Sequence, residues 1–303
     1  MARVLVPAAS GAYLVSGVNI PSATDVDVES GATIKKFGTS SGPLFTMQGT
    51  LNTSFANDIS IQGVNGRFTI DLRDAGSSTT GIRLRSVKNF AIKHIVFLNN
   101  SDPSASGTAT LKPNISFLPK DTSKLGGEFE HPIGGQVADA HAYGANDGWG
   151  LIQLTGAENV HFANISSEGG VALRLENFEN NATTVDGITA DGVACENGKN
   201  AVQMNPHNAD NGTVSVHNVT STSCQEGIRL SDDAAYPEGN FDPSTIDTGS
   251  VTAGESAQLP DAGGAWHYGS SQNCVDAVAN LTWTPPTITN LSCGGLPNNN
   301  WPQ

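Results

Sequence analysis

In the stretch GGVALRLENF, residues 169–178, an arginine and a glutamate stand two positions apart, Arg174 and Glu176. A carboxyl group can give a proton to a leaving oxygen or take one from water. A guanidinium can grip a sulfate or carboxylate through paired N–H donors. After the two glycines the stretch alternates: Val171, Leu173 and Leu175 fall on one side, and Arg174, Glu176 and Phe178 on the other. Successive side chains of a strand point to opposite faces, so the charged pair leaves one face of a strand beside Phe178.

Two later stretches share the pattern and can be superposed on it. Leu173, Val202 and Ile228 then point inward, followed by Leu175, Met204 and Leu230. The outward positions form three ladders: Arg174/Gln203/Arg229, Glu176/Asn205/Ser231 and Phe178/His207/Asp233. The preceding GWGLIQL adds Gln153 to this face, and the earlier GIRLRS adds Arg83 and Arg85. Four of the seven arginines thus take outward strand positions. Singly, such a charge is ordinarily just solvated, and Glu176 could be an exposed ion-pair partner worth under about 1 kcal/mol. Gathered on one sheet with a glutamate, glutamine and histidine, they read better as a groove for a polyanion. Trp149, Tyr143 and Phe178 could stack on sugar rings there, although Trp149 reads equally as core packing.

A stack of coils would hold these side chains in register. Degenerate units of roughly 22 to 30 residues recur, among them KNFAIKHIVFLNN, ENVHFANISSEGGVALRLEN and GTVSVHNVTSTSCQEGIRLSDD. Each joins an alternating strand, an Asn or Gly turn suited to a left-handed corner, and a second strand. Strand-built repeats of this length point to a solenoid. The expected fold is an all-β, right-handed parallel β-helix with long loop insertions, residues 1–303 forming one domain. A β-sandwich or propeller is the rival, but two-residue hairpin turns between paired strands are scarce. Segment 101–148 is Gly-, Pro- and Ser-rich without a clean rung, and reads as an inserted region walling the cleft. Segment 234–272 reads as a second excursion of the same kind.

Composition narrows the function. A net charge of −14 and a pI near 4.7 argue against general nucleic-acid binding and fit a secreted or salt-tolerant protein. No stretch approaches the roughly 18 apolar residues of a membrane span. The opening MARVLVPAASGAYLVSG lacks the apolar core of a signal peptide, so an export signal is expected to have been removed or never present. Four cysteines are too few for a disulfide scaffold. Cys274 and Cys293 suit a bridge, while Cys195 and Cys224, in similar contexts, read as stacked on neighbouring coils, bridged or simply buried. Glycosylation-type sequences at Asn114, Asn164, Asn218 and Asn280 read as structural turn asparagines. No spacing resembles a zinc site, but the acidic clusters SDD and FDPSTID could hold a structural calcium.

The combination DGWGLIQLTGAENVHF, GGVALRLE, MNPHN and EGIRL resembles the iota-carrageenase family of glycoside hydrolases, best over residues 145–232. These are secreted, marine β-helical enzymes that hydrolyse sulfated galactans of red algae with inversion. The resemblance implies an anionic polysaccharide partner, action as a monomer and no required cofactor. It makes Glu176 the general acid and puts Gln153 near a bound chloride and the catalytic water. Arg174 and Arg229 become sulfate ligands, and His207 an aid to proton transfer. The chain departs from the family two residues after the acid, where the aspartate that activates water is replaced by Phe178. Inversion needs two carboxyl groups about 6.5–9.5 Å apart. Asp233, two rungs along the Phe178 ladder beside Asp232, is the candidate substitute, with a backbone separation from Glu176 of about 11–12 Å. Without a substitute base, the phenylalanine would mean a different polysaccharide handled by another arrangement of the groove, or loss of hydrolysis with binding kept. A β-helical lyase, drawing on Arg83, Arg85, Arg174, His207 and Tyr143, would not need the missing aspartate.

Overall fold

The computed structural model describes residues 1–100 save 39, 51–52 and 77; 112–118; 124–146 save 127; 148–177; 183–231 save 208–209, 223 and 225; 239–248 save 243; 266–267; 275–277; and 283–290 save 285. The regular elements among them are all β-strands, so no helix there is long and apolar enough to cross a membrane. The strands wind into a right-handed parallel β-helix. A 10-stranded sheet carries Thr79–Arg85, Ile115–Phe117, Ile152–Leu154, Val171–Glu176, Asn200–Asn205 and Glu226–Leu230 side by side. A 14-stranded sheet wraps the rest of each coil.

Stacked apolar columns hold the coils together. Ile82, Ile115, Ile152, Leu173, Val202 and Ile228 lie over one another, all fully buried. Leu84, Phe117, Leu154, Leu175, Met204 and Leu230 form the next column, two residues along. Each such burial contributes about 1.5–3 kcal/mol. Phe117 also meets Phe90 and Phe162 of the larger sheet edge-on, at centroid distances of 5.6 and 5.8 Å.

The larger sheet bends at left-handed residues five positions apart. Asn89 and His94, Gly134 and Asp139, Asn159 and Asn164, and Gly187 and Gly192 all have φ between 50° and 74°. Each bend moves the inward phase by one residue, so Val87, Phe90, Ile92, Ile95 and Phe97 are the buried set of Val87–Leu98, spaced three, two, three, two. Asn164 and Asn218 serve as such corners, and Asn114 is buried against Asn99.

Segment 101–148 departs from its expected form as one inserted loop. Ile115–Phe117 and Ile133–Tyr143 are regular strands of the two sheets, the second pairing Val87–Leu98 on one side and Ala157–Glu168 on the other. Cys195 and Cys224 form a disulfide between adjacent coils. Cys274 and Cys293 lie outside the described residues, as does most of segment 234–272.

Candidate active site

The strand register brings the outward side chains into line. Arg83, Ser116, Gln153, Arg174, Gln203 and Arg229 occupy successive rungs of one column. Glu176 and Asn205 are partners in the next. Rungs about 4.8 Å apart make this a continuous polar stripe along the solenoid axis.

A cleft of about 450 Å³ opens over the middle of the stripe. Its walls include Arg83, Lys112, Ser116, Trp149, Gln153, Thr155, Arg174, Glu176, Asn177 and His207, and Glu176 is the sole carboxylate among its lining residues. Although outward-facing, Glu176 is only 5% exposed, because the neighbouring side chains close over it. Gln153 Nε2 donates to its Oε1. Arg174 Nε donates to Oε2 at 2.9 Å, and His207 Nε2 stands 3.6 Å from the same oxygen. Burial alone would raise the carboxyl pKa, but His207, Arg174 and Gln153 together outweigh it and hold Glu176 below its ordinary value.

Cations surround the site. Arg174 Nη1 donates to Gly148 O at 2.9 Å, and its guanidinium carbon lies 5.3 Å from the centre of the Trp149 ring. Lys112 Nζ is 4.2 Å from the same centre. Arg83 is half-buried, and its Nε has no hydrogen-bond partner. Burial, helped by Arg85, lowers the Arg83 pKa. A partly desolvated guanidinium with an unmet donor suits an anion.

Gln203, Asn205 and Arg229 continue the stripe beyond the cleft walls, and Arg85 sits on the same sheet outside them. Tyr143 is not brought to the cleft. It ends a strand of the other sheet, opposite Leu98, and is 45% exposed there. Phe178 and Asp233 lie outside the described residues. Lys112, Ser116 and Thr155 are cleft residues that the sequence pattern did not single out. The alternation Ile115-Ser116-Phe117 was the available signal, masked by the irregular segment before it.

Among the described residues no group of three or more His, Cys, Asp or Glu could hold a metal ion. In FDPSTID, Asp242 and Asp247 belong to no such group, and Asp232 and Asp233 are outside the described set. Beside Gln153, where the resemblance puts a chloride, one N–H of the side-chain amide donates to Glu176. A hollow of about 540 Å³ on the opposite sheet includes Asp25 and Asp58. Those carboxylates already accept from Ser60 and Asn89.

Fold and site together define a β-helical protein with a cation-rimmed cleft around one buried carboxylate. No family profile matches the chain. An iota-carrageenase of Alteromonas macleodii is 29% identical over 228 residues, 73% of this chain and 44% of that protein. An iota-carrageenase of Zobellia galactanivorans is 31% identical over 177 residues, 56% of this chain and 34% of that protein. A solved iota-carrageenase complexed to iota-carrageenan fragments superposes with a TM-score of 0.65 at 28% identity, covering 76% of this chain and 49% of the other. The chain is a remote relative of the iota-carrageenases, and it spans less than half the length of the curated relatives it matches.

Proposed function

We propose that the protein is a secreted glycoside hydrolase that cleaves a sulfated galactan of the iota-carrageenan type. The carrying observation is the placement of Glu176 among Gln153, Arg174 and His207, at the floor of a cleft rimmed by Arg83 and Lys112, in a relative of the iota-carrageenases. A polymeric substrate calls for action outside the cell, and the Cys195–Cys224 disulfide suits an oxidising compartment.

In this reading Glu176 gives its proton to the glycosidic oxygen. The C–O bond breaks with its electron pair going to that oxygen, and water adds to the anomeric carbon from the opposite face. Glu176 is held ionised at rest, so it must first be charged with a proton, and His207 is the adjacent source. Arg83, Arg174 and Arg229 hold substrate sulfates. The water gives up its proton to Asp233, an assignment that rests on strand register alone, since Phe178 stands where the family has its aspartate.

That phenylalanine also favours one second reading, a glycan-binding β-helix that has lost hydrolysis. Incubation with iota-, kappa- and lambda-carrageenan, agar and alginate separates the cases. The proposal expects new reducing ends and shortened chains from iota-carrageenan, without ultraviolet absorbance. An unsaturated, absorbing product would mean a lyase, and binding without products a pure binder.

A further inference from the structure

We infer that Trp149 is a positioning residue for Glu176, acting by fixing the guanidinium of Arg174. The inference deepens the reading of Glu176 as the reacting carboxyl and rests on it.

An arginine on an outward strand position would ordinarily sweep through solvent, with about 2 kcal/mol of rotamer entropy to lose on being fixed. Arg174 is instead held at three points. Its Nε donates to Glu176, its Nη1 donates to Gly148 O, and its guanidinium carbon lies over the Trp149 ring, 5.3 Å from the centre. Two of these points belong to one short turn. Trp149 N and Gly150 N both donate to Asn146 O, at 3.1 and 3.0 Å, and Gly148 N donates to Asn146 Oδ1 at 2.9 Å.

The turn is seated against the strand that carries the site. Gly150 has φ +78°, and a Cβ there would fall 1.9 Å from Val171 O. Leu151 N donates to that same carbonyl at 2.9 Å. Tryptophan turn and arginine strand therefore meet in a fixed relation, three residues before Arg174. The Trp149 ring already faces two cations, Lys112 and Arg174, which is the electrostatic partner an indole face prefers. A ring so engaged is better placed to orient Arg174 than to serve as a bare platform for sugar. Arg174 in turn supplies one of the donors that aim the Glu176 carboxyl and set its charge state.

The first arm of the test needs no substrate. Protein carrying ¹³C-labelled glutamate is titrated by NMR, with the Glu176 carboxyl signal assigned by its loss in E176Q. Trp149→Phe keeps an aromatic face, and Trp149→Leu keeps bulk without one. The Glu176 midpoint is expected to rise by about one unit in W149L and to stay within a few tenths of wild type in W149F. On a galactan that the wild type cleaves, kcat of W149L should fall about 10-fold with little change in KM. An unmoved midpoint in W149L, or a raised KM at constant kcat, would make Trp149 a sugar platform and overturn the inference. Failure of W149L to fold would make it a packing residue and overturn it equally. A wild type inactive on every polysaccharide, with the midpoint still moving, would sink the catalytic reading of Glu176 and leave the Trp149–Arg174 coupling standing.

Discussion

Arg174 and Glu176 sit two residues apart on one strand face, and the arginine turns back along that strand to donate from Nε to Glu176 Oε2 at 2.9 Å. A guanidinium that could serve only the substrate is thereby tied to the carboxyl proposed as the general acid. In the proposed reaction this would couple sulfate binding by Arg174 to the charge state of Glu176.

Arg174→Ala should reveal that coupling in the pH dependence of rate. Glu176 is held below the ordinary carboxylate range, so its ionised form is the favoured one at neutral pH. Removing Arg174 leaves burial with less opposition, and the carboxyl should titrate at higher pH. The limb of the kcat/KM profile that reports Glu176 should move upward, with the maximum lowered by about 10²-fold or more through lost sulfate contact. An unmoved limb would show that Arg174 serves substrate alone.

A second charge cluster tests stability. On the opposite sheet Asp139 accepts from both Arg67 Nε and Nη2, at 2.9 and 2.6 Å, and from Asn164 at 2.8 Å, with His94 and His141 also on its oxygens. The Arg67 hydrogen bonds, against a smaller opposing effect of burial, set its pKa far below the usual range. A depressed carboxyl stabilises the fold fully above the unfolded aspartate value, about 3.9, and loses that contribution as pH falls toward the folded value. Asp139→Asn should therefore destabilise by about 1.5–3 kcal/mol at pH 7, and urea midpoints of variant and wild type should converge below about pH 4.

The Cys195–Cys224 bridge spans 29 residues and joins neighbouring coils just before the strands that carry Gln203 and Arg229. By loop-closure entropy it contributes about 3–4 kcal/mol. The double change to alanine should lower the denaturation midpoint correspondingly. An unchanged midpoint would show that column packing alone holds these coils.

The rungs around the site were legible because Leu173-Arg174-Leu175-Glu176, Val202-Gln203-Met204-Asn205 and Ile228-Arg229-Leu230-Ser231 alternate without interruption. Their partners pair as that alternation requires. Ile133–Tyr143 stayed hidden for two physical reasons. Its inward residues are chiefly small, Ala140 and Ala142 among them, and left-handed Gly134 and Asp139 each shift the phase, so no strict period of two survives. Tyr143 ends that same strand, which sets it on the larger sheet beside Leu98 and away from the cleft. His207 stands beside Glu176, as the resemblance implied, but its backbone at φ +47° leaves the simple strand register, so its closing over the carboxyl does not follow from alternation.

In the proposed reaction the 176 carboxyl is the group that hydrolysis depends on. Glu176→Gln keeps the side-chain shape and removes the transferable proton. Rates of reducing-end release from iota-carrageenan, measured beside equilibrium binding of the same polymer, should show at least a 10³-fold loss of rate with affinity within about threefold of wild type. Undiminished release by the glutamine variant would contradict the account.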